Sequence, residues 1–228
     1  MLRAIIFDLD GVVADSHSIH KRAWGELLAS VGRTVSPQEL ECVVEGRKRD
    51  EIMRHFLGEL SPEQVREYGI RKDNLFTKYS ADLEPVRGVR EFIHAVSANG
   101  IAIALASSAG RKRVESNLRQ LGLASYFQVV VTGDDVLNGK PDPSLFLMAA
   151  RELNVPAHET LVCEDAVNGV RAAKAAGMKC LGIASSGERE LVLKAAGADK
   201  ILIDFAQASL ADLRLLFPNT AQSHAAAR

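Results

Sequence analysis

Apolar positions along this chain follow two different periods. Residues 4–7, Ala-Ile-Ile-Phe, form an unbroken apolar run too short for a helix, and similar β-branched or apolar runs recur at 101–106, 128–132, 160–163 and 180–183. Runs of this length read as strands buried on both faces. Between them, residues 111–122, 144–154 and 167–177 carry helical spacing or helix-end signals. Lys-Ala-Ala-Gly closes a helix at 174–177 and another at 194–197. Strand and helix in alternation predict a parallel sheet wrapped by helices.

Residues 16–81 interrupt that alternation, because they hold no convincing strand. Ile19, Ala23, Trp24, Leu27, Leu28 and Val31 make one apolar helical stripe, read as core packing. Ser36-Pro37-Gln38-Glu39 and Ser61-Pro62-Glu63-Gln64 each place Ser at N-cap, Pro at N1 and Glu or Gln at N3, so two further helices are expected to start there. Glu84-Pro85-Val86-Arg87-Gly88 punctuates the return, and a helix resumes at 89–97. The predicted architecture is therefore α/β, a Rossmann-like parallel sheet core formed by 1–15 and 82–228, with a helical cap of 16–81 inserted after the first strand. An insert so placed would lie over the end of that strand as a lid.

Composition narrows the function classes. The chain has 228 residues, 47% of them hydrophobic, enough to bury a sizeable core. Its 28 basic and 29 acidic residues nearly cancel, so no global field favours nucleic acid or an anionic membrane. The basic triplets at 47–49 and 111–113 lack the aromatic interleaving of a nucleic-acid groove. No apolar run approaches a membrane span, and Cys42, Cys163 and Cys180 show no Cys-x-x-Cys spacing. A soluble cytoplasmic protein is expected, monomeric or weakly dimeric.

The first strand ends in Asp8-Leu9-Asp10-Gly11. Side chains at i and i+2 of a strand share a face, so two carboxylates point one way with no basic neighbour in sequence. They are either turn residues or a pair that needs a cation. The second strand leads into Ser107-Ser108, the third is followed by Gly139-Lys140-Pro141-Asp142-Pro143, and the fourth ends in Glu164-Asp165. Each has an ordinary reading as turn residue, solvated lysine or N-cap. Their coincidence at one sheet edge, where open α/β sheets bind ligands, instead describes a phosphate site around a hard divalent ion.

Phe7-Asp8-Leu9-Asp10-Gly11-Val12-Val13, Ala106-Ser107-Ser108, Lys140-Pro141-Asp142-Pro143 and Glu164-Asp165 resemble, in order, the four motifs of the haloacid dehalogenase-like superfamily of phosphotransferases. The helical insert is similar to the cap of the subgroup that contains β-phosphoglucomutase and small-metabolite phosphatases. The resemblance implies Asp8 as nucleophile forming an aspartyl-phosphate and Asp10 as general acid and base. It implies Ser107 and Lys140 as stabilisers of the transferring group, and a Mg2+ site drawn from Asp8, Asp10, Glu164 and Asp165. An acid at position 10 favours phosphate-ester chemistry over dehalogenation.

In the cap, His20-Lys21-Arg22-Ala23-Trp24, Gly46-Arg47-Lys48-Arg49 and Arg71-Lys72 look like the corresponding β-phosphoglucomutase segments. By that similarity His20 would link cap closure to Asp10, Arg49 would grip a distal phosphate, and Lys72 would approach the transferring end. Ala109-Gly110-Arg111-Lys112-Arg113 replaces the Ser-Lys-Asn type sequence typical of the mutases. Ser108 and Arg111 are then the expected substrate contacts from this loop. The expected activity is a Mg2+-dependent phosphatase of a small phosphorylated metabolite, a sugar phosphate above all, with β-phosphoglucomutase as the alternative enzyme and a non-catalytic binding module as the alternative from another class.

Overall fold

The computed structural model describes residues 1–217. The alanine-rich tail after Pro218, to which the sequence assigns no role, lies outside the described residues. Six parallel strands form one sheet in the order β3-β2-β1-β4-β5-β6. They are β1 Ala4–Phe7, β2 Ala102–Ala106, β3 Val129–Val131, β4 Thr160–Glu164, β5 Lys179–Ile183 and β6 Lys200–Leu202. The chain runs outward from β1 through β2 to β3, then returns to place β4 on the other side of β1. That reversal opens a crevice at the carboxyl ends of β1 and β4.

Alternation along the central strand sets the two faces. Ile5 and Phe7 join a core with helices α4 (Val89–Ala98) and α5 (Arg111–Gln120), whereas Ile6 points to the opposite core with α6 (Ser144–Glu152) and α7 (Val167–Ala175). Phe7 is fully buried and meets Phe92 and Phe127 edge-on, with ring centroids 6.1 and 6.2 Å away. This aromatic box fixes the backbone one residue before Asp8. Helix α8 (Gly187–Ala196) ends at Gly197, whose φ of 107° suits glycine and closes the second Lys-Ala-Ala-Gly segment.

Between β1 and α4 lie α1 (His17–Ser30), α2 (Arg49–Leu57) and α3 (Pro62–Tyr79), which enclose a core of their own around Trp24, Leu27, Val43, Ile52 and Met53. Outgoing and returning chains pair as they leave the sheet: Asp15 N donates to Glu84 O at 2.9 Å and Val86 N to Val13 O at 3.1 Å. The start expected at Ser61 forms a complete capping box with Gln64. At Ser36 the same exchange with Glu39 forms, but a 3-10 turn, Glu39–Val44, follows instead of an α-helix. The adjacent β-branched Val43 and Val44 resist helix propagation, and Gly46, at φ 78°, turns the chain away. Strand β6 was not legible in the sequence, being three half-buried residues at the sheet edge. No helix among the described residues is long and apolar enough to cross a membrane.

Candidate active site

Register brings the motif loops to one level. Phe7 pairs with Leu105 on β2 and with Cys163 on β4, so Asp8, Ala106 and Glu164 stand side by side at the carboxyl edge. Asp8 N donates to Cys163 O at 3.0 Å and Ser107 N to Val131 O at 3.0 Å, which extends the ladder into the site. A cleft of about 170 Å3 opens above this edge, walled by Asp8, Ser107, Arg113 and Asp165 from the sheet layer and by Arg49 and Lys72 from the helical layer.

Lys140 forms the floor. Its ammonium is buried and donates to Asp8 Oδ1 at 2.6 Å and to Glu164 Oε1 at 2.5 Å. Glu164 Oε2 accepts the amides of Asp165 and Ala166 at 2.9 and 2.8 Å, so both of its oxygens are committed. Burial pushes Asp8 up to about 7, because Lys140 only partly offsets the desolvation and the nearby Glu164 and Asp10 add to it. Glu164 and Asp165 are likewise raised by burial, with Lys140 opposing the shift in one and His17 in the other.

Asp10 occupies a different environment, within 2.7 to 3.1 Å of cationic, hydroxyl and imidazole groups. Arg113 donates Nη1 to Oδ1 and Nη2 to Oδ2, both at 2.8 Å, Ser16 Oγ donates to Oδ1 at 2.7 Å, and His20 Nε2 lies 3.1 Å from Oδ1. Burial pushes its carboxyl up, but Arg113 and His20 together hold it well below the usual carboxylate range. Behind His20, Lys72 Nζ stands 3.1 Å from Nδ1, which makes Nδ1 the acceptor and leaves Nε2–H to donate to Asp10. Burial and the Lys72 charge drop His20 to about 3, so the ring is neutral.

The remaining sequence-derived positions divide. Ser107 is buried and its Oγ accepts the Ala109 amide at 3.1 Å, while Ser108 Oγ donates to the Gly46 carbonyl of the helical layer at 2.8 Å. Arg49 reaches the cleft but is paired with Asp73 at 2.5 Å; Gly69 of α3 makes room for it, since a Cβ there would come within 2.8 Å of its guanidinium carbon. Arg111, expected to contact substrate, is not brought in. Its guanidinium turns to Asp135 at 2.7 Å, because it opens helix α5 on the outer side of the cleft, and Arg113 is the residue of this triplet that enters.

Three site residues escaped the sequence reading. Arg113 was visible only as part of a basic triplet. Ser16 and His17 lie at the start of α1, where nothing in their spacing distinguishes them from helix-capping residues. His17 Nε2 sits 2.8 Å from Asp165 Oδ2; burial works against its charge, yet the contact with Asp165 raises its pKa overall.

The site offers oxygen donors to a divalent cation. Among the described residues no three His, Cys, Asp or Glu side chains already converge as a complete metal group. Two features nevertheless fit one. Asp165 Oδ2 is buried with no well-aligned hydrogen bond, and of three carboxyls raised by burial, Asp8 and Glu164 share the ammonium of Lys140 while Asp165 meets the repulsion of Asp8 without that partner. Gly11, at φ 77°, keeps the space beside Asp165 open: a Cβ there would fall 2.3 Å from Asp165 Oδ2. The arrangement narrows the expected cation set, since the Glu164 carboxylate is tied to Lys140 and two amides and that of Asp10 to Arg113, Ser16 and His20. Asp8 and Asp165 remain as side-chain donors.

A sequence profile for haloacid dehalogenase-like hydrolase matches residues 5–183. The chain belongs to the haloacid dehalogenase-like hydrolases. Protein CbbY of Cereibacter sphaeroides is 33% identical to this hydrolase, over 96% of the present chain and 99% of its own. A phosphorylated carbohydrates phosphatase of Thermotoga maritima is 33% identical over 78% and 83% of the two chains. Among solved structures, β-phosphoglucomutase from Clostridium difficile superposes with a TM-score of 0.85 at 26% identity, covering 95% of this hydrolase and 97% of that chain. Membership makes the protein an enzyme and sets aside the non-catalytic binding module.

Proposed function

We propose that this hydrolase is a Mg2+-dependent phosphatase of small phosphorylated metabolites, with sugar phosphates as the preferred class. The observation that carries the reading is the contrast between its two leading carboxylates. Asp8 lies on the floor against Lys140, and Asp10 lies above it in a cage of Arg113, Ser16 and His20. Two carboxyls in such different surroundings suit different tasks.

In this reading Asp8 attacks phosphorus and an oxygen–phosphorus bond forms as the bond to the ester oxygen breaks; Asp10, which takes up a proton when substrate entry releases it from Arg113, passes that proton to the departing oxygen. Asp10 then takes a proton from water, which attacks the aspartyl-phosphate and releases inorganic phosphate. Lys140 and Ser107 face the transferring group and stabilise its charge. Asp8, Asp165 and the Asp10 backbone carbonyl would hold the metal; when bound, Mg2+ would neutralise carboxylate and phosphoryl charge. Residues 16–81 act as the cap, and the Lys72–His20–Asp10 chain gives it a direct path to the proton-transfer group.

A mutase must hold a second phosphate while the intermediate turns over. Here Arg49 is engaged by Asp73 and Arg111 by Asp135, which favours water as the acceptor. Incubation with β-glucose 1-phosphate, a bisphosphate primer and Mg2+ separates the two. Phosphate release supports the phosphatase; glucose 6-phosphate without matching release overturns it.

A further inference from the structure

Arg189 lies outside every motif that the sequence reading singled out, near the start of α8, where its backbone amide donates to the N-cap Ser186 Oγ at 3.2 Å. Its guanidinium serves two partners. Nε and Nη2 donate to the Asp165 main-chain carbonyl at 3.0 and 2.8 Å, and Nη1 donates to Glu45 Oε1 at 2.6 Å. Asp165 belongs to the sheet layer; Glu45 belongs to the helical layer, one residue before Gly46.

The loop that Glu45 opens is pressed onto the catalytic floor. A Cβ on Gly46 would lie 3.3 Å from Ala166 Cβ and 3.6 Å from Lys140 Cδ, so the main chain itself packs over the lysine. Neutral contacts assist, from Asn168 Nδ2 to Glu45 O at 2.9 Å and from Ser108 Oγ to Gly46 O at 2.8 Å, while Lys48 Nζ reaches Val136 O at 2.8 Å. Among the described residues only the Arg189 fork joins this loop to the main chain of Asp165 in a single side chain. Arg189 and Glu45 are both about three-quarters buried, at 22% and 25% side-chain exposure, where a charge pair outweighs a solvated one.

We infer that Arg189 is a positioning residue: one planar guanidinium docks the 45–48 loop over Lys140 and at the same time fixes the main chain at Asp165. Loop docking and the orientation of Asp165 thereby depend on the same side chain. A lysine lacks the planar fork that presents separate donors to both partners in this geometry. The second half of the inference rests on the proposed role of Asp165 as a Mg2+ ligand; the first half does not.

The loop reports its own docking, because Arg47 and Lys48 are trypsin sites within it. Limited trypsin digestion of the full chain, with products assigned by mass, is compared for wild type, Arg189→Met, Arg189→Lys and Glu45→Gln. Mg2+-induced rise in melting temperature is measured on the same samples. Cleavage after 47 and 48 is expected to accelerate at least fivefold in Arg189→Met and Glu45→Gln and by less in Arg189→Lys, with cleavage outside the loop unchanged. The Mg2+-induced rise is expected to shrink in Arg189→Met and to persist in Glu45→Gln, where the Asp165 contacts survive. Should Arg189→Met fail to fold, Arg189→Lys and Glu45→Gln still decide the matter. Wild-type cleavage rates in the variants would overturn the docking role, and a full Mg2+ response in Arg189→Met would overturn the shared dependence. A wild-type protein whose melting temperature ignores Mg2+ would count against the proposed function instead.

Discussion

The Arg113 guanidinium grips the Asp10 carboxylate with both terminal nitrogens, each at 2.8 Å, from the first turn of α5. Despite burial, this contact and His20 hold Asp10 well below its ordinary 3.8. A depressed acid stabilises the fold above its unfolded pKa and loses that contribution as pH falls through the folded value. Arg113→Met should therefore cost about 2–3 kcal/mol at pH 7, somewhat under the usual cost of orphaning one half of a buried pair, because His20 and Ser16 remain. Urea unfolding from pH 7 to pH 3 checks this: the gap between wild type and variant should narrow below about pH 4.

Gly169 sits inside α7, where intrinsic propensity alone would make Gly→Ala stabilising by about 1 kcal/mol. Its Cβ, however, would land 1.8 Å from Glu164 Oε1. Glu164 cannot swing away, being held by Lys140 and two amides. Gly169→Ala is predicted to destabilise by about 3 kcal/mol, the upper range for overpacking, read as a lower urea midpoint.

Lys72 is buried beneath His20, and burial, reinforced by Arg113, lowers its pKa to about 7. Between that value and its ordinary 10.5 the unfolded chain carries a proton that the folded chain lacks, so stability contributed through Lys72 rises with pH across this window. Replacing Lys72 by Met removes the rise. From pH 7 to pH 9 wild type should gain about 1–2 kcal/mol relative to Lys72→Met, with Asp8, common to both proteins, dropping out of the comparison.

Much of the sheet and its edge chemistry can be read from the sequence because β1, β2 and β4 are buried on both faces and end at the polar residues grouped at the carboxyl edge. Short apolar runs locate such strands, and the strand ends then locate Asp8, Ser107 and Glu164 together. Strand β6 is half-buried and three residues long, too brief for a periodic signal. Arg113 was hidden because α5 exposes charged residues on most sides and its sequence gives no sign that the third residue, rather than the first, turns inward. His17 meets Asp165 across 148 residues of chain and Arg189 meets Glu45 across 144, which no local pattern encodes. The helix expected after Ser36 failed for a local reason, since a sound capping box was followed by Val43-Val44 and then Gly46.

In the proposed reaction Asp8 attacks phosphorus and water receives the phosphoryl group. The most direct measurement is inorganic phosphate released from a panel of sugar phosphates with Mg2+, for wild type and Asp8→Asn side by side. Wild type should release phosphate steadily and Asp8→Asn should lose at least about 1000-fold, since removing a nucleophile removes the covalent route. Release by Asp8→Asn at the wild-type rate would contradict the proposed reaction.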